Sequence, residues 1–187
     1  GGPWGIALGG SFVYWSNLDD GTIARTHVDG GAVEIVGVDL GAPAGLSLIG
    51  GSLYWADPIA DTVNALPLGG GRARVLATGQ EVTSPLLADE RQLYWTDANR
   101  QAVMSVGLQR GKPQRLAAGQ IDPVGLAVQG GWVWFATRGD GDLKRARVPG
   151  GAVDTVLADR PPAMHVAVAG GEMVWADDTG TLYAYAP

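Results

Sequence analysis

"GGSLYWADPIADTVNALPLGGG", residues 50–71, sets an aromatic pair, Tyr54 and Trp55, between two glycine-rich turns. Its core word "SLYWAD" ends at Asp57 and returns as "FVYWSN" ending at Asn17, "QLYWTD" at Asp97, "WVWFAT" at Thr137 and "EMVWAD" at Asp177, always 40 residues apart. A fixed period of this size marks a repeat architecture, in which one supersecondary unit recurs and buries its faces against its neighbours. The period divides the chain into units of about 1–40, 41–80, 81–120, 121–160 and 161–187, the last one short.

The first unit shows what each repeat builds. "GIAL" at 5–8, "FVYWS" at 12–16, "TIARTHV" at 22–28 and "AVEIV" at 32–36 are strand-like runs, separated by Gly9-Gly10, the acidic loop "NLDDG" and Asp29-Gly30-Gly31. Gly-Gly and Asp-Gly between β-rich runs favour hairpin turns, because those turns need the positive φ that glycine reaches cheaply. Each unit therefore reads as a four-stranded antiparallel meander. Its second strand is apolar at successive positions (Leu53, Tyr54, Trp55; Val133, Trp134, Phe135) without the alternation of a sheet wet on one face, so both faces are expected to be covered. Radially stacked four-stranded blades satisfy these conditions, and the expected fold is an all-β propeller with five blades in one domain, residues 1–187, the last blade three-stranded. Trp15, Trp55, Trp95, Phe135 and Trp175, one to a blade, are then structural repeat residues that serve packing between blades. The Asn or Asp two residues later is expected to tie down the adjacent turn.

Composition narrows the function. The 187 residues hold 30 Gly, 11 Pro and no Cys, which removes disulfides, thiolate metal sites and cysteine nucleophiles. A net charge of −6 with no basic run argues against nucleic acid as a partner. No apolar stretch approaches the roughly 18 residues needed to span a bilayer, and the first residues, Gly-Gly-Pro-Trp, do not read as a signal peptide, as expected of a mature secreted protein or an excised domain.

The word "LYWTD" at 93–97 resembles the YWTD-type propeller repeat of low-density-lipoprotein receptor relatives, and the surrounding layout, "PVGLAV" before the aromatic word and "LGGG" after it, resembles secreted bacterial propellers of the YWTD/NHL kind. The resemblance runs through the whole sequence. It implies a propeller fold, an extracytoplasmic or secreted location, and binding to other proteins as the common activity; lactonase-like members are metal-dependent hydrolases. Receptor YWTD domains have six blades, whereas five units are counted here. Too few residues precede the first strand for the amino terminus to complete blade five, so its outer edge is expected to be open and capable of self-association.

Topology places the loop between strands two and three, and the connections between blades, at one end of each blade, with the glycine hairpins at the other. The loop ends hold Asp19, Asp20, Asp39, Asp57, Asp61, Glu81, Asp97, Asp122, Asp140, Asp142, Asp159, Asp177 and Asp178, 13 of the 19 acidic residues. Against them stand Arg100, Arg138 and Arg160, so the loop ends carry −10 and the rest of the chain +4. Such asymmetry favours a cationic small ligand or a basic protein patch. "LDDGT" and "ADDTG" place acids beside glycine but lack the alternating ligand spacing of a calcium loop; no cofactor and no metal ligand set is expected, a structural calcium being the one alternative.

Two further residues are singular where the repeat is not. Trp4 stands where other units have Ala44, Ser84, Val124 and Met164, and His165 stands where they have Gly or Pro. With Met164 they are expected to form an apolar, aromatic pocket at the inner-strand ends if blade five adjoins blade one. The expected ligand-binding set is Trp4, Met164, His165, Arg138, Asp20, Asp61, Asp140 and Asp178, with no catalytic residue. The function read from the sequence is a non-enzymatic ligand- or protein-binding module. The alternatives are a metal-dependent propeller hydrolase or lyase, and a propeller fragment that self-associates through its incomplete last blade.

Overall fold

The computed structural model describes residues 1–82, 85–109, 111–161 and 163–186, and among them it contains strands and turns but no helix. Blade one comprises β1 (Pro3–Gly9), β2 (Phe12–Asn17), β3 (Thr22–His27) and β4 (Glu34–Gly37). Blade two comprises β5 (Ala44–Ile49), β6 (Ser52–Asp57), β7 (Thr62–Pro67) and β8 (Arg74–Thr78), and blade three β9 (Leu87–Ala88), β10 (Gln92–Asp97), β11 (Ala102–Gly107) and β12 (Gln114–Ala118). Blade four comprises β13 (Pro123–Gln129), β14 (Trp132–Thr137), β15 (Asp142–Arg147) and β16 (Val153–Leu157); blade five has only β17 (Ala163–Ala169), β18 (Glu172–Asp177) and β19 (Leu182–Tyr185). Four four-stranded sheets and one three-stranded sheet result, each with its strands in sequential order. Ladders run antiparallel throughout, as in Tyr54 opposite both Ser47 and Ala65.

Turn chemistry fixes these registers. Gly50 and Gly51 hold φ of 58° and 72°, and Gly130 and Gly131 hold 61° and 77°, the positive pair that a two-residue type I′ hairpin requires. At the opposite end the register of β5 against β6 slips between Ala44 and Leu46, and that of β13 against β14 between Val124 and Leu126. The residues at the slips, Gly45 and Gly125, have φ of 57° and 53°, the mark of a bulge built on a left-handed glycine.

By contact the chain forms two compact units: Gly1–Val82 with Ala88–Gln92 and Val106–Lys112, and Thr83–Leu87 with Leu93–Ser105 and Pro113–Pro187. In the first unit Tyr14 and Ile23 of blade one pack against Leu46, Leu53 and Trp55 of blade two. In the second, Tyr94 and Val103 of blade three pack against Leu126, Val133 and Phe135 of blade four, and Trp134 and Leu143 of blade four pack against Val166, Met173 and Trp175 of blade five. The same two positions of one blade thus cover the same strands of the next. The inner strands come close enough that a side chain would not fit at some glycines: a Cβ on Gly5 would lie 2.6 Å from the Leu46 backbone nitrogen.

Trp55, Phe135 and Trp175 are buried in these seams, Trp95 is buried as well, and the Trp55 indole N–H donates to the Leu40 carbonyl at 3.3 Å. Trp15 is only half-buried, and Val174 is exposed. Coverage of both faces of the second strand therefore holds in blades two, three and four. In blade one Trp15 sits opposite Ile6 in the ladder, Trp15 half-buried and Ile6 exposed.

Candidate functional site: the acidic loop ends

One backbone bond is repeated at the loop end of four blades. Leu40 N–H donates to Gly21 C=O at 2.9 Å, Gln80 to Asp61 at 2.9 Å, Gln120 to Gln101 at 2.7 Å and Arg160 to Gly141 at 2.8 Å. The connection leaving each blade thus lies over that blade's own loop between strands two and three. The accepting residues share a left-handed conformation, with φ of 62° at Gly21, 54° at Asp61, 47° at Gln101 and 71° at Gly141. Asp39 and Asp159, next to the donors, are left-handed as well, at 56° and 53°. Short polar side chains tolerate that region better than most, which is one reason aspartate gathers here.

The acidic residues then separate by what their carboxylates do. Those two residues after the repeat aromatic point inward. Asp57 Oδ1 accepts from the Ile59 and Ala60 N–H groups, both at 2.9 Å, while Oδ2 accepts from Ala42 N–H at 3.1 Å. Asp97, buried, accepts from Arg100 N–H at 2.8 Å and pairs with its guanidinium at 2.6 Å. Asp177 accepts from Thr179 N–H and Thr181 N–H at 2.9 Å each, and from the Thr179 and Tyr183 hydroxyls. The hydrogen bond from the Thr179 hydroxyl, joined by those from the Thr181 amide, the Tyr183 hydroxyl and the Thr179 amide, holds the Asp177 carboxyl below its ordinary value against the opposing effect of desolvation. Asn17 and Thr137 complete the series: Asn17 donates to the Thr22 hydroxyl at 3.0 Å, and the Thr137 hydroxyl bonds the carboxylate of Asp140.

A second group is neutralised by neighbouring cations. Lys144 lies 2.5 Å from Asp140 and 3.3 Å from Asp142. Desolvation raises the Asp140 pKa, but the hydrogen bonds from Lys144 and Thr137 outweigh it and hold the group below its ordinary value. Arg138 forks onto Asp122 with nitrogens 2.8 and 3.1 Å from the two oxygens, and its third nitrogen lies 3.9 Å from Met164 Sδ. The hydrogen bonds to Asp122 raise the guanidinium pKa further. Of the expected ligand-binding set, Arg138 and Met164 are therefore brought together, with Asp122 as a third member that the sequence did not single out.

The remaining carboxylates face water. Asp19, Asp39, Asp61, Asp159 and Asp178 are exposed and make no ion pair among the described residues. Asp20, also exposed, holds the α-ammonium of Gly1 at 2.7 Å. Trp4 and His165 are exposed, Trp4 to 72%. His165 is the repeat counterpart of Gly45 and Gly125, but it pairs with Ala176, and the register slip of β17 against β18 falls on Met164. Among the described residues no group of three or more His, Cys, Asp or Glu side chains is placed to hold a metal ion.

The hairpin ends differ in kind. In blade one the Arg25 guanidinium lies 4.3 Å from the Phe12 ring centre, reaches the Tyr14 hydroxyl and pairs with Glu34 at 2.8 Å. In blade four Arg145 lies 4.3 Å from Trp132 and 5.2 Å from Trp134 and pairs with Asp154 at 3.2 Å, while Arg147 covers Trp132 at 5.3 Å. Trp132 is half-buried beneath these arginines. Sequence reading missed both stacks, although their signal is visible: aromatic, aromatic, arginine and acid stand at 12, 14, 25 and 34 and again at 132, 134, 145 and 154.

No protein-family model matches the sequence, and no curated protein sequence matches it. Solved structures do. A chain of the nidogen/laminin complex superposes with a TM-score of 0.79 at 22% identity, over 98% of this chain and 75% of that one. Virginiamycin B lyase from Staphylococcus aureus gives 0.72 at 11% identity, over 98% and 69%. BamB from Moraxella catarrhalis gives 0.70 at 13% identity, over 98% and 59%. These neighbours are β-propellers, and the class follows: the chain has the β-propeller fold. Its five blades are built on YWTD-like repeats, and no helix of the described residues is long and apolar enough to cross a membrane.

Proposed function

We propose that this propeller is a non-enzymatic binding module that recognises a basic protein segment or another cationic group through the exposed carboxylates of its loop ends. The observation that carries the reading is the division among the loop acids. Asp57, Asp97 and Asp177 are consumed by their own turns, and Asp122, Asp140 and Asp142 by arginine or lysine, yet Asp19, Asp39, Asp61, Asp159 and Asp178 remain hydrated and unpaired. Left-handed backbone favours aspartate at 39, 61 and 159, but none of the five last side chains caps a turn donor or joins an ion pair among the described residues, so their charge is left to contribute negative field.

In the first unit Asp19, Asp20 and Asp39 lie on two turns joined by the Leu40 to Gly21 bond, so one lysine-rich segment can meet several of them. The nidogen/laminin and BamB structures lend the general reading of a binding propeller some support; the lyase shows that the fold also carries chemistry. An extracytoplasmic location rests on family resemblance alone.

Isothermal titration with an oligolysine peptide tests the proposal. Binding is expected to weaken about tenfold or more between low and moderate salt, and to weaken further in a variant carrying Asp19→Asn, Asp39→Asn and Asp61→Asn, whose fold is expected to stay intact because those exposed carboxylates join no ion pair among the described residues. Binding that ignores both salt and the substitutions, or no binding at low salt, contradicts it.

A further inference from the structure

The hairpin ends of blades one and four carry the same constellation, and one copy satisfies itself while the other does not. Phe12, Tyr14, Arg25 and Glu34 recur three repeats later as Trp132, Trp134, Arg145 and Asp154, whereas blades two and three have Ala65 and Ser105 in place of the arginine. In blade one the guanidinium of Arg25 is fully engaged. Its Nε and one terminal nitrogen lie 2.8 Å from Glu34 Oε2, and the other terminal nitrogen lies 3.5 Å from the Tyr14 hydroxyl. Beside it His27 sets its ring edge-on to Phe12 and accepts from the Asp29 N–H at 3.3 Å. Blade four withdraws these partners. Trp134 replaces Tyr14 and brings no hydroxyl, Pro149 replaces Asp29, and Asp154, shorter than Glu34, accepts only from Arg145 Nε, at 3.2 Å. Arg147 replaces His27, opposite Trp132 in the ladder. It is exposed, and its guanidinium, 5.3 Å from the Trp132 ring centre, makes no hydrogen bond or ion pair among the described residues.

We propose that the hairpin end of blade four is an anion-binding site, in which Arg147 and the terminal nitrogens of Arg145, both laid on Trp132, grip a carboxylate of an acidic peptide segment. Stacking covers the face of a guanidinium and leaves its N–H edge free, the edge that meets a planar carboxylate in two parallel hydrogen bonds. Because Trp132 already holds both side chains, part of the ordering that binding demands is met before the ligand arrives. Local charge selects the ligand class. Arg145 and Arg147 face the single carboxylate of Asp154, a surplus of one positive charge, where in blade one Arg25 and Glu34 cancel. One surplus charge suits a carboxylate, whereas a polyphosphate backbone calls for a row of cations. Trp132 and Trp134 pack against the blade-five side of blade four, within one compact unit, so the site is built inside that unit. It lies at the opposite end of the blade from the acidic loops and takes the opposite charge, so its failure leaves the proposed cation recognition untouched.

Nitrogen–proton NMR spectra of the whole chain test the site, read at the Trp132 indole and the Arg147 Nε–H during titration with tetraglutamate acetylated and amidated at its ends. Both signals are expected to move saturably, and equally capped tetraglutamine is expected to leave them in place. Arg147→Gln removes an exposed side chain, so its melting temperature is expected to match that of the unmodified protein while tetraglutamate binds about tenfold more weakly. Arg147→His restores the blade-one residue and is expected to weaken binding as much at about pH 8, where imidazole is neutral. Inorganic sulfate is expected to shift the two signals less than the peptide does at equal concentration. No saturable shift, equal shifts with tetraglutamine, or unchanged affinity in both Arg147 variants overturns the proposal, and stronger binding of sulfate overturns its assignment to a carboxylate.

Discussion

At the scale of the residue, the same side-chain type performs opposed tasks according to where the repeat puts it. Asp57 and Asp61 are four positions apart, yet one is buried and satisfies three backbone N–H groups from two turns, and the other stands in solvent. Removing a buried carboxylate that accepts several hydrogen bonds leaves those donors without partners, so Asp57→Ala is expected to lower stability by about 3 kcal/mol in urea denaturation. Asp57→Asn keeps one acceptor oxygen and is expected to cost less. If Asp57→Ala and Asp61→Asn shift the midpoint equally, the division of the loop acids into structural and free groups is wrong.

At the scale of the element, the blade was legible and its ends were not. The 40-residue spacing, the Gly-Gly hairpins and the unbroken apolar second strand specify four-stranded meanders, and the three-stranded last blade follows from the short fifth unit. What the sequence could not show is which partner each loop acid would find, because pairs such as Arg138 with Asp122 join residues on separate loops. Nor did the aromatic periodicity show that Trp15 and Val174 would be less covered than their counterparts, since burial there depends on the neighbouring surface and not on the strand's own pattern. The blade-five loop illustrates how much one element depends on a single charge. Asp177 has a folded pKa below its ordinary value, so its ionised form stabilises the fold above the unfolded pKa, and that contribution fades as pH falls through the lower folded value. Thermal melts of the unmodified protein and Asp177→Asn are expected to differ most above about pH 5 and to converge only well below about pH 4, as the pH passes through the lowered folded value. A difference that widens with acid would reverse the sign of the argument.

At the scale of the whole molecule, repetition marks what holds the blades and departure from repetition marks what is left over. The repeat aromatics and inward carboxylates belong to the first class; the hydrated loop carboxylates belong to the second, as do the arginine and aromatic stacks at the hairpin ends of blades one and four. Under the proposed function, recognition belongs to the loop end of the blades. Amide hydrogen exchange with and without a bound oligolysine peptide tests that assignment most directly. Added protection is expected in the turns at 18–21, 38–41 and 58–61, with the hairpins at 9–12, 49–52 and 129–132 unchanged. Protection centred on those hairpins, or spread evenly over both ends of the blades, would contradict it.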